Sequence, residues 1–378
     1  VASISALLNG GCRLLTVTGP GGIGKSSLAI EVGLHEQEQQ PDGAWFVDLA
    51  GVRDPALLGS AIAHSLGIRE SAGVNPMESL KSYLAPMSML LLLDSFETVI
   101  AAAPVVVDLL SAAPGVKILV TSRSVLRVRG EQEYPLSPLA VPAIGAADPA
   151  QAGPALELFM ERAAAANPGR RFDGREFSAS AEICRRLDGV PLAIELAAAR
   201  TRLLPPTVML TRLEHALDVL SDGPLDLPER QRTLRRTLDW DHAMLGIEEQ
   251  LLFRRLSVFP REFTLAAAEA VAGDVGVDVM EGVDSLVGKS LLRRLDADNR
   301  NEPLFVMLQV VHDYAFERLE EAGEADEAQE RHARYALSRA ERAGTAPPSE
   351  AEGWLATLEA EHADLRAALN WADRSLNV

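Results

Sequence analysis

"LLTVTGPGGIGKSSLAIEV", Leu14 to Val32, is an apolar run that breaks at glycine, crosses to Gly24-Lys25-Ser26 and resumes with helical spacing. Gly19 to Ser26 satisfies GxxxxGK[ST], with a strand pattern before it and a helix pattern after it. Gly19, Gly21, Gly22 and Gly24 let backbone N–H groups converge on the α- and β-phosphates of a nucleotide, with Ile23 and Ser27 in the same loop and first helical turn. The helix that follows directs its positive dipole end at those phosphates. Lys25 is positioned to reach the β- and γ-oxygens, and the Ser26 hydroxyl to ligate Mg²⁺. A glycine-rich turn with no ligand is the rival reading, and the strand-loop-helix context weighs against it.

"LLLLD" supplies a second element, an apolar strand ending at Asp94, whose carboxylate can hold the Mg²⁺ through water. Many efficient P-loop ATPases place a second acid directly after this aspartate to orient water. Here that position is Ser95, and the nearest acid is Glu97, so fast hydrolysis is not encoded in an obvious way. "TSR" ends a later strand, which puts Arg123 at the same carboxyl edge, where ligands bind in open α/β sheets. A cation there can sense or stabilise a γ-phosphate. Lys25, Asp94 and Arg123 are therefore the catalytic candidates.

Five apolar runs divide the first part of the chain: "RLLTVT" (13–18), "AWFVDL" (44–49), "MLLLLD" (89–94), "KILVTS" (117–122) and "EYPLSPL" (133–139). Continuous apolar runs separated by amphipathic segments predict buried parallel strands with crossover helices, hence an α/β domain over residues 1–140. "VPAIGAADPAQAGP" (141–154) reads as a linker into a helical domain over 141–220, with Leu156, Phe159, Met160 and Ala163 on one helix face. In that domain "DGVPLAIELAAAR" (188–200) carries Pro191, by physics alone a helix start after a tight turn at Gly189. "SDGPLDLPER" (221–230) is a second break. Helices followed by two β-like runs around "DADNRNEP" then predict a winged helix over 221–322. Residues 323–378 read as helices, about 326–343 and 350–373, that open a repeat array.

Composition bounds the rest. With 378 residues, 47% hydrophobic and 24% charged, the sequence is that of a globular protein of several domains. Cys12 and Cys184 have neither disulfide-framework nor zinc spacing, and no run approaches the length of a membrane span, so a cytoplasmic protein without membrane contact is expected. The net charge of −18 disfavours non-specific binding to nucleic acid. Seven arginines between Pro228 and Glu262, among them Arg235 and Arg236, face six acids, whereas DNA-reading surfaces carry a one-sided excess. No direct nucleic-acid binding is expected. A chain that starts at Val1 and stops within a helical pattern is expected to be a fragment.

The P-loop, "LLLLDSFE", "TSR" and "GVPLA", in this order and spacing, resemble the NB-ARC type of STAND ATPase. The likeness extends to bacterial regulators that precede tetratricopeptide repeats, through "RTLDW", "EEQLLFRRLSVFP", "LVGKSLL", "MLQVVHDYAFERL" and "WLATLEAEHADLRAALNWA". The resemblance implies an ATP/ADP and Mg²⁺ switch in which nucleotide is clamped between the α/β, helical and winged-helix domains. Lys25 and Ser26 would bind phosphate and Mg²⁺, Asp94 support the metal, Arg123 sense the γ-phosphate and Pro191 touch adenine. It also implies effector and sensor domains outside this chain, ATP-dependent self-association, and at most slow Mg-dependent ATP hydrolysis. The family's Met-His-Asp motif aligns with Met307-Leu308-Gln309, which lacks its polar residues, and His312 one turn later reads as an exposed helical histidine. A fast ATPase, a winged helix that binds DNA itself and a phosphotransferase are the rival readings.

Overall fold

In the computed structural model, which describes residues 1–68, 75–143, 153–169, 172–213, 233–273, 276, 278–295, 302–345 and 362–376, the five apolar runs become strands of one sheet. They are β1 (Leu14–Thr18), β2 (Ala44–Asp48), β3 (Leu90–Asp94), β4 (Lys117–Thr121) and β5 (Glu131–Pro135). The order is β2-β3-β4-β1-β5 and every pairing is parallel. Parallel strands need crossovers, here helices α2 (Lys25–Glu36), α3 (Leu58–Ser65), α4 (Pro76–Leu84) and α5 (Ala103–Ala112), while α1 (Ala2–Asn9) precedes β1. Alternate residues of the central strands enter two cores. Leu91, Leu93, Ile118 and Val120 join one, while Leu90, Leu92, Leu119, Leu15 and Val17 join the other. A strand covered on both faces has no polar side, which is why "LLLLD" shows no alternation.

The last strand lies earlier than its expected position. β5 spans Glu131–Pro135 because it follows β1 residue by residue, from Leu14 opposite Glu131 to Thr18 opposite Pro135. It is an edge strand whose polar Gln132 and Glu133 are exposed, so an apolar pattern places it too late.

Val1–Pro138 and Leu139–Val378 are two compact units. The second begins with α6 (Gly153–Ala166), α7 (Gly174–Arg186), α8 (Pro191–Arg200) and α9 (Pro206–Arg212). It continues with α10 (Leu234–Ala243), α11 (Ile247–Arg255), β6 (Phe263–Thr264), α12 (Leu265–Ala272), α13 (Val279–Gly288), β7 (Arg293–Leu295), β8 (Leu304–Val306) and α14 (Gln309–Glu321). The expected hairpin is β7 with β8, and β6 adds a third strand to give the antiparallel order β6-β8-β7. One apolar cluster takes in Phe159 and Ile194 together with Leu238, Phe253, Leu286 and Tyr314. Two long helices follow, α15 (Ala325–Thr345) and α16 (His362–Leu376). Most of the expected linker, all of the second break and the turn between these two helices lie outside the described residues.

His312 departs from expectation. It is half-buried on α14, and both ring nitrogens are sheltered without a hydrogen-bond partner among the described residues, its Nδ1 lying 3.5 Å from Asp313 Oδ1. A helix packed against the Leu256–Val258 turn and helix α15 leaves fewer solvent positions than sequence spacing suggests.

Candidate functional site

The chain order reverses at β1 and β4: β1 leads to the far edge strand β2, while the link from β4 crosses β1 to β5. In an open α/β sheet such a reversal opens a crevice at the carboxyl ends of the strands. Three strands deliver the candidate residues to that edge. β1 runs into the Gly19–Ser26 loop, β3 ends at Asp94, and β4, which lies between them, ends two residues before Arg123.

The loop's shape explains its glycines. Gly19, Gly22 and Gly24 have φ of +154°, +77° and +97°, and a Cβ on Gly19 would stand 3.0 Å from Ile23 Cγ2 and 3.3 Å from the Leu136 carbonyl oxygen. Helix α2 opens at Lys25 from Gly24 with no side-chain cap, so its first-turn donors are left for an anion. Lys25 Nζ meanwhile donates to the carbonyls of Gly19 at 2.7 Å and Pro20 at 3.0 Å, curling over its own loop. Ser26 is half-buried in the first turn and Ser27 is exposed beside it. These features suit a phosphate chain: glycine backbone, an uncapped helix start and one ammonium.

Asp94 is buried, and its carboxylate is fixed by hydroxyls. Thr121 Oγ1 donates to Oδ1 at 2.6 Å and Ser95 Oγ to Oδ2 at 3.3 Å. Thr121 in turn accepts the Ser95 backbone N–H at 3.0 Å. Ser95 itself is left-handed, with φ +62°, so the chain turns sharply after Asp94. That turn brings Glu97 back to the strand edge, where its Oε1 lies 3.4 Å from Arg123 Nε, and both residues are buried. Asp94 and Ser26 are the residues that would hold Mg²⁺. An ordered carboxylate and one hydroxyl are the sparse protein donor set this ion takes alongside phosphate oxygens and waters.

Pro191 lies in the second unit, where it is the first residue of α8. Gly189 before it has φ +70°, and its carbonyl accepts the Leu139 N–H at 3.0 Å. Asp188 accepts the backbone N–H of Gln309, the first residue of α14, and so caps that helix across the fold. Burial pushes the Asp188 carboxyl above its usual range, and the Gln309 hydrogen bond draws it partly back.

Comparison with known proteins gives four findings. Residues 245–320 match a family described as "Winged helix-turn-helix domain". The chain is 33% identical over 317 residues to "Uncharacterized protein Rv0894" of Mycobacterium tuberculosis, covering 82% of this chain and 78% of that protein. The chain belongs to the Rv0894 family. A second mycobacterial relative, "Putative HTH-type transcriptional regulator Rv0890c", is 37% identical over 364 residues. This match covers 95% of the chain but only 40% of that protein, so the chain spans less than half of Rv0890c. Among solved structures, the Aeropyrum pernix ORC2 protein in its ADPNP-ADP complexes aligns with a TM-score of 0.44 and 14% identity, covering 84% of this chain and 93% of that one.

Within this Rv0894-family chain, sequence reasoning selected Asp94 and Arg123 but not the pairings that hold them, Thr121 with Asp94 and Glu97 with Arg123. Thr121 and Glu97 become neighbours of the site only once β4 is known to lie beside β3. The adjacency of "TSR" to a buried strand was the available signal, and strand order was the missing step.

Proposed function

We propose that the chain is the nucleotide-controlled switch of a multidomain signalling or transcriptional regulator. ADP holds a closed arrangement, exchange for ATP opens it, and slow hydrolysis resets it. The observation that carries this reading is the arrival of the P-loop, Asp94 and Arg123 at the carboxyl ends of three adjacent strands. A switch needs a ligand with different affinity for two states, and a γ-phosphate sensor such as Arg123 distinguishes ATP from ADP. In this reading Lys25 and the loop from Gly19 through Ser27 bind the phosphates, Ser26 and Asp94 hold Mg²⁺, and Pro191 contacts adenine. Effector and sensor domains beyond this chain, and ATP-dependent self-association, belong to the same proposal.

The experiment is to purify the protein without added nucleotide, denature it and identify what is released. Near-stoichiometric ADP is the expected result. An empty protein that turns over ATP rapidly would replace the switch with a hydrolytic machine. A companion prediction concerns the metal. Asp94→Asn weakens Mg²⁺-dependent ATP binding by about tenfold and ADP binding less, since one charge-assisted contact is lost where the γ-phosphate adds charge. Titration with fluorescent ATP and ADP analogues checks it, and unchanged affinity for both would remove Asp94 from the metal site.

The winged helix serves this switch as a structural element rather than as a DNA reader. Arg235 forms two hydrogen bonds to Glu317, at 2.7 and 3.2 Å, and Arg254 two to Glu324, at 2.9 and 2.7 Å, so these cations serve internal pairs. Helix α13, which precedes the hairpin, contains Glu281 and Asp284 and neither lysine nor arginine. Phosphate backbones repel such a face. Duplex DNA is expected to bind no more tightly than about 1 µM at physiological salt, the non-specific range. Nanomolar, sequence-dependent binding lost on Arg293→Ala would establish the opposite role.

A further inference from the structure

Glu97 is a buried carboxylate with one oxygen in an ion pair and the other unused. It is 8% exposed, and its Oε2 has no hydrogen-bond partner among the described residues. Its other oxygen lies 3.4 Å from Arg123 Nε. Leaving a carboxylate oxygen buried without a partner costs free energy, so the group calls for an explanation.

The chain around Glu97 is built to hold it there. Ser95 takes a left-handed conformation, φ +62°, that non-glycine residues seldom adopt. The Ser95 N–H is tied to Thr121 Oγ1, and Thr98 Oγ1 donates to the carbonyls of Leu49 and Ser95, each at 3.0 Å. Phe96 is wholly buried and anchors the turn from the other side. Four fixed points thus hold the turn that carries this acid, three residues after Asp94. The sequence position where a water-orienting acid is expected holds Ser95, and the turn brings the next acid back to the same edge.

We propose that Glu97 is the catalytic base of ATP hydrolysis, oriented by its ion pair with Arg123 so that Oε2 faces the attacking water. The proposal rests on the nucleotide reading of this site. In the step, a water oxygen forms a bond to the γ-phosphorus as the bond from that phosphorus to the β,γ-bridging oxygen breaks. The electron pair leaves on ADP, the water's proton passes to Glu97 Oε2, and inorganic phosphate is the second product. Arg123 can serve both groups, because a guanidinium presents five donors in a fixed fork.

The test compares wild-type full chain, Glu97→Gln and Glu97→Asp by ATP and ADP titration and by phosphate release under saturating ATP. Glu97→Gln is expected to release phosphate about 100-fold more slowly, the scale of a lost general base, with both affinities within about threefold of wild type. Glu97→Asp retains the carboxylate and recovers part of the rate. A Glu97→Gln protein that binds ATP and hydrolyses it at the wild-type rate overturns the assignment while leaving the switch intact. So does a wild type that binds ATP and releases no phosphate. A wild type that binds neither ATP nor ADP instead removes the nucleotide reading itself.

Discussion

Lys25→Ala is expected to lose ATP and ADP binding together, by at least about 100-fold. In the structure the ammonium bonds two carbonyls of its own loop, at 2.7 and 3.0 Å. Those are neutral acceptors, and a phosphate oxygen is a charged one. A hydrogen bond to a charged group contributes about 1.5–3 kcal/mol, so removing the ammonium's two bonds to β- and γ-oxygens costs the bound state roughly 3 kcal/mol or more. The loop's backbone donors remain in the variant, but glycine N–H groups alone leave a multiply charged ligand poorly neutralised. Folding changes little, because the two carbonyls are part-buried and accessible to water, so a loss of about 1 kcal/mol is expected from them. Isothermal titration with each nucleotide, beside a thermal melt of the apo-protein, separates the two effects. A variant that still holds ADP at wild-type affinity would show that Lys25 serves only to close its own loop. Lys25→Arg is a useful companion, since a planar fork does not fit where a point charge curls over a tight turn.

What could be read from the sequence follows from which forces act locally. The P-loop was legible because its chemistry is local: glycine conformations, an uncapped helix start and a lysine are all set within eight residues. Strands β1, β3 and β4 were legible because burial on both faces leaves an unbroken apolar run, and the edge strand β2 because Trp45 and Phe46 are apolar even where exposed. β5 was misplaced because an edge strand takes its register from its neighbour rather than from its own pattern. The same distinction runs through the site. Asp94 ends a run that announces itself, whereas Glu97 enters the site through a left-handed serine and a strand order that no spacing encodes. His312 was misread for a related reason. Its exposure depends on what packs over helix α14, a fact of the tertiary fold. The arginines near Pro228 to Glu262 looked like a basic surface in part, and counting acids reduced that impression. Only the structure shows the pairing that absorbs Arg235 and Arg254, with partners 82 and 70 residues away.

Gly189→Ala is expected to be among the most destabilising single-methyl changes in the second unit. The residue belongs to "GVPLA", a motif whose resemblance points towards nucleotide, yet its backbone answers to packing first. Its φ of +70° already disfavours any side chain. A Cβ there would also stand 2.0 Å from the carbonyl oxygen and 3.0 Å from the carbonyl carbon of Leu139, well inside van der Waals contact. Both of those atoms are main chain, so no side-chain rotation relieves the clash, and the Leu139 N–H to Gly189 carbonyl bond at 3.0 Å opposes any separation. Left-handed strain of about 1–2 kcal/mol and overpacking of about 1–3 kcal/mol add to roughly 3 kcal/mol. For a unit of this size that lowers the melting temperature by about 6–12 °C. Gly323→Ala supplies the control, because Gly323 has a φ of +69° but nothing within 4 Å of its notional Cβ. It carries the backbone strain without the clash, and its melting temperature falls by about a third to a half as much. Equal losses in the two variants would mean that the Leu139 segment moves aside at little cost. A larger loss at Gly189 would fix the first role of this motif as the turn that seats the start of α8, with any contact from Pro191 to nucleotide depending on that seat.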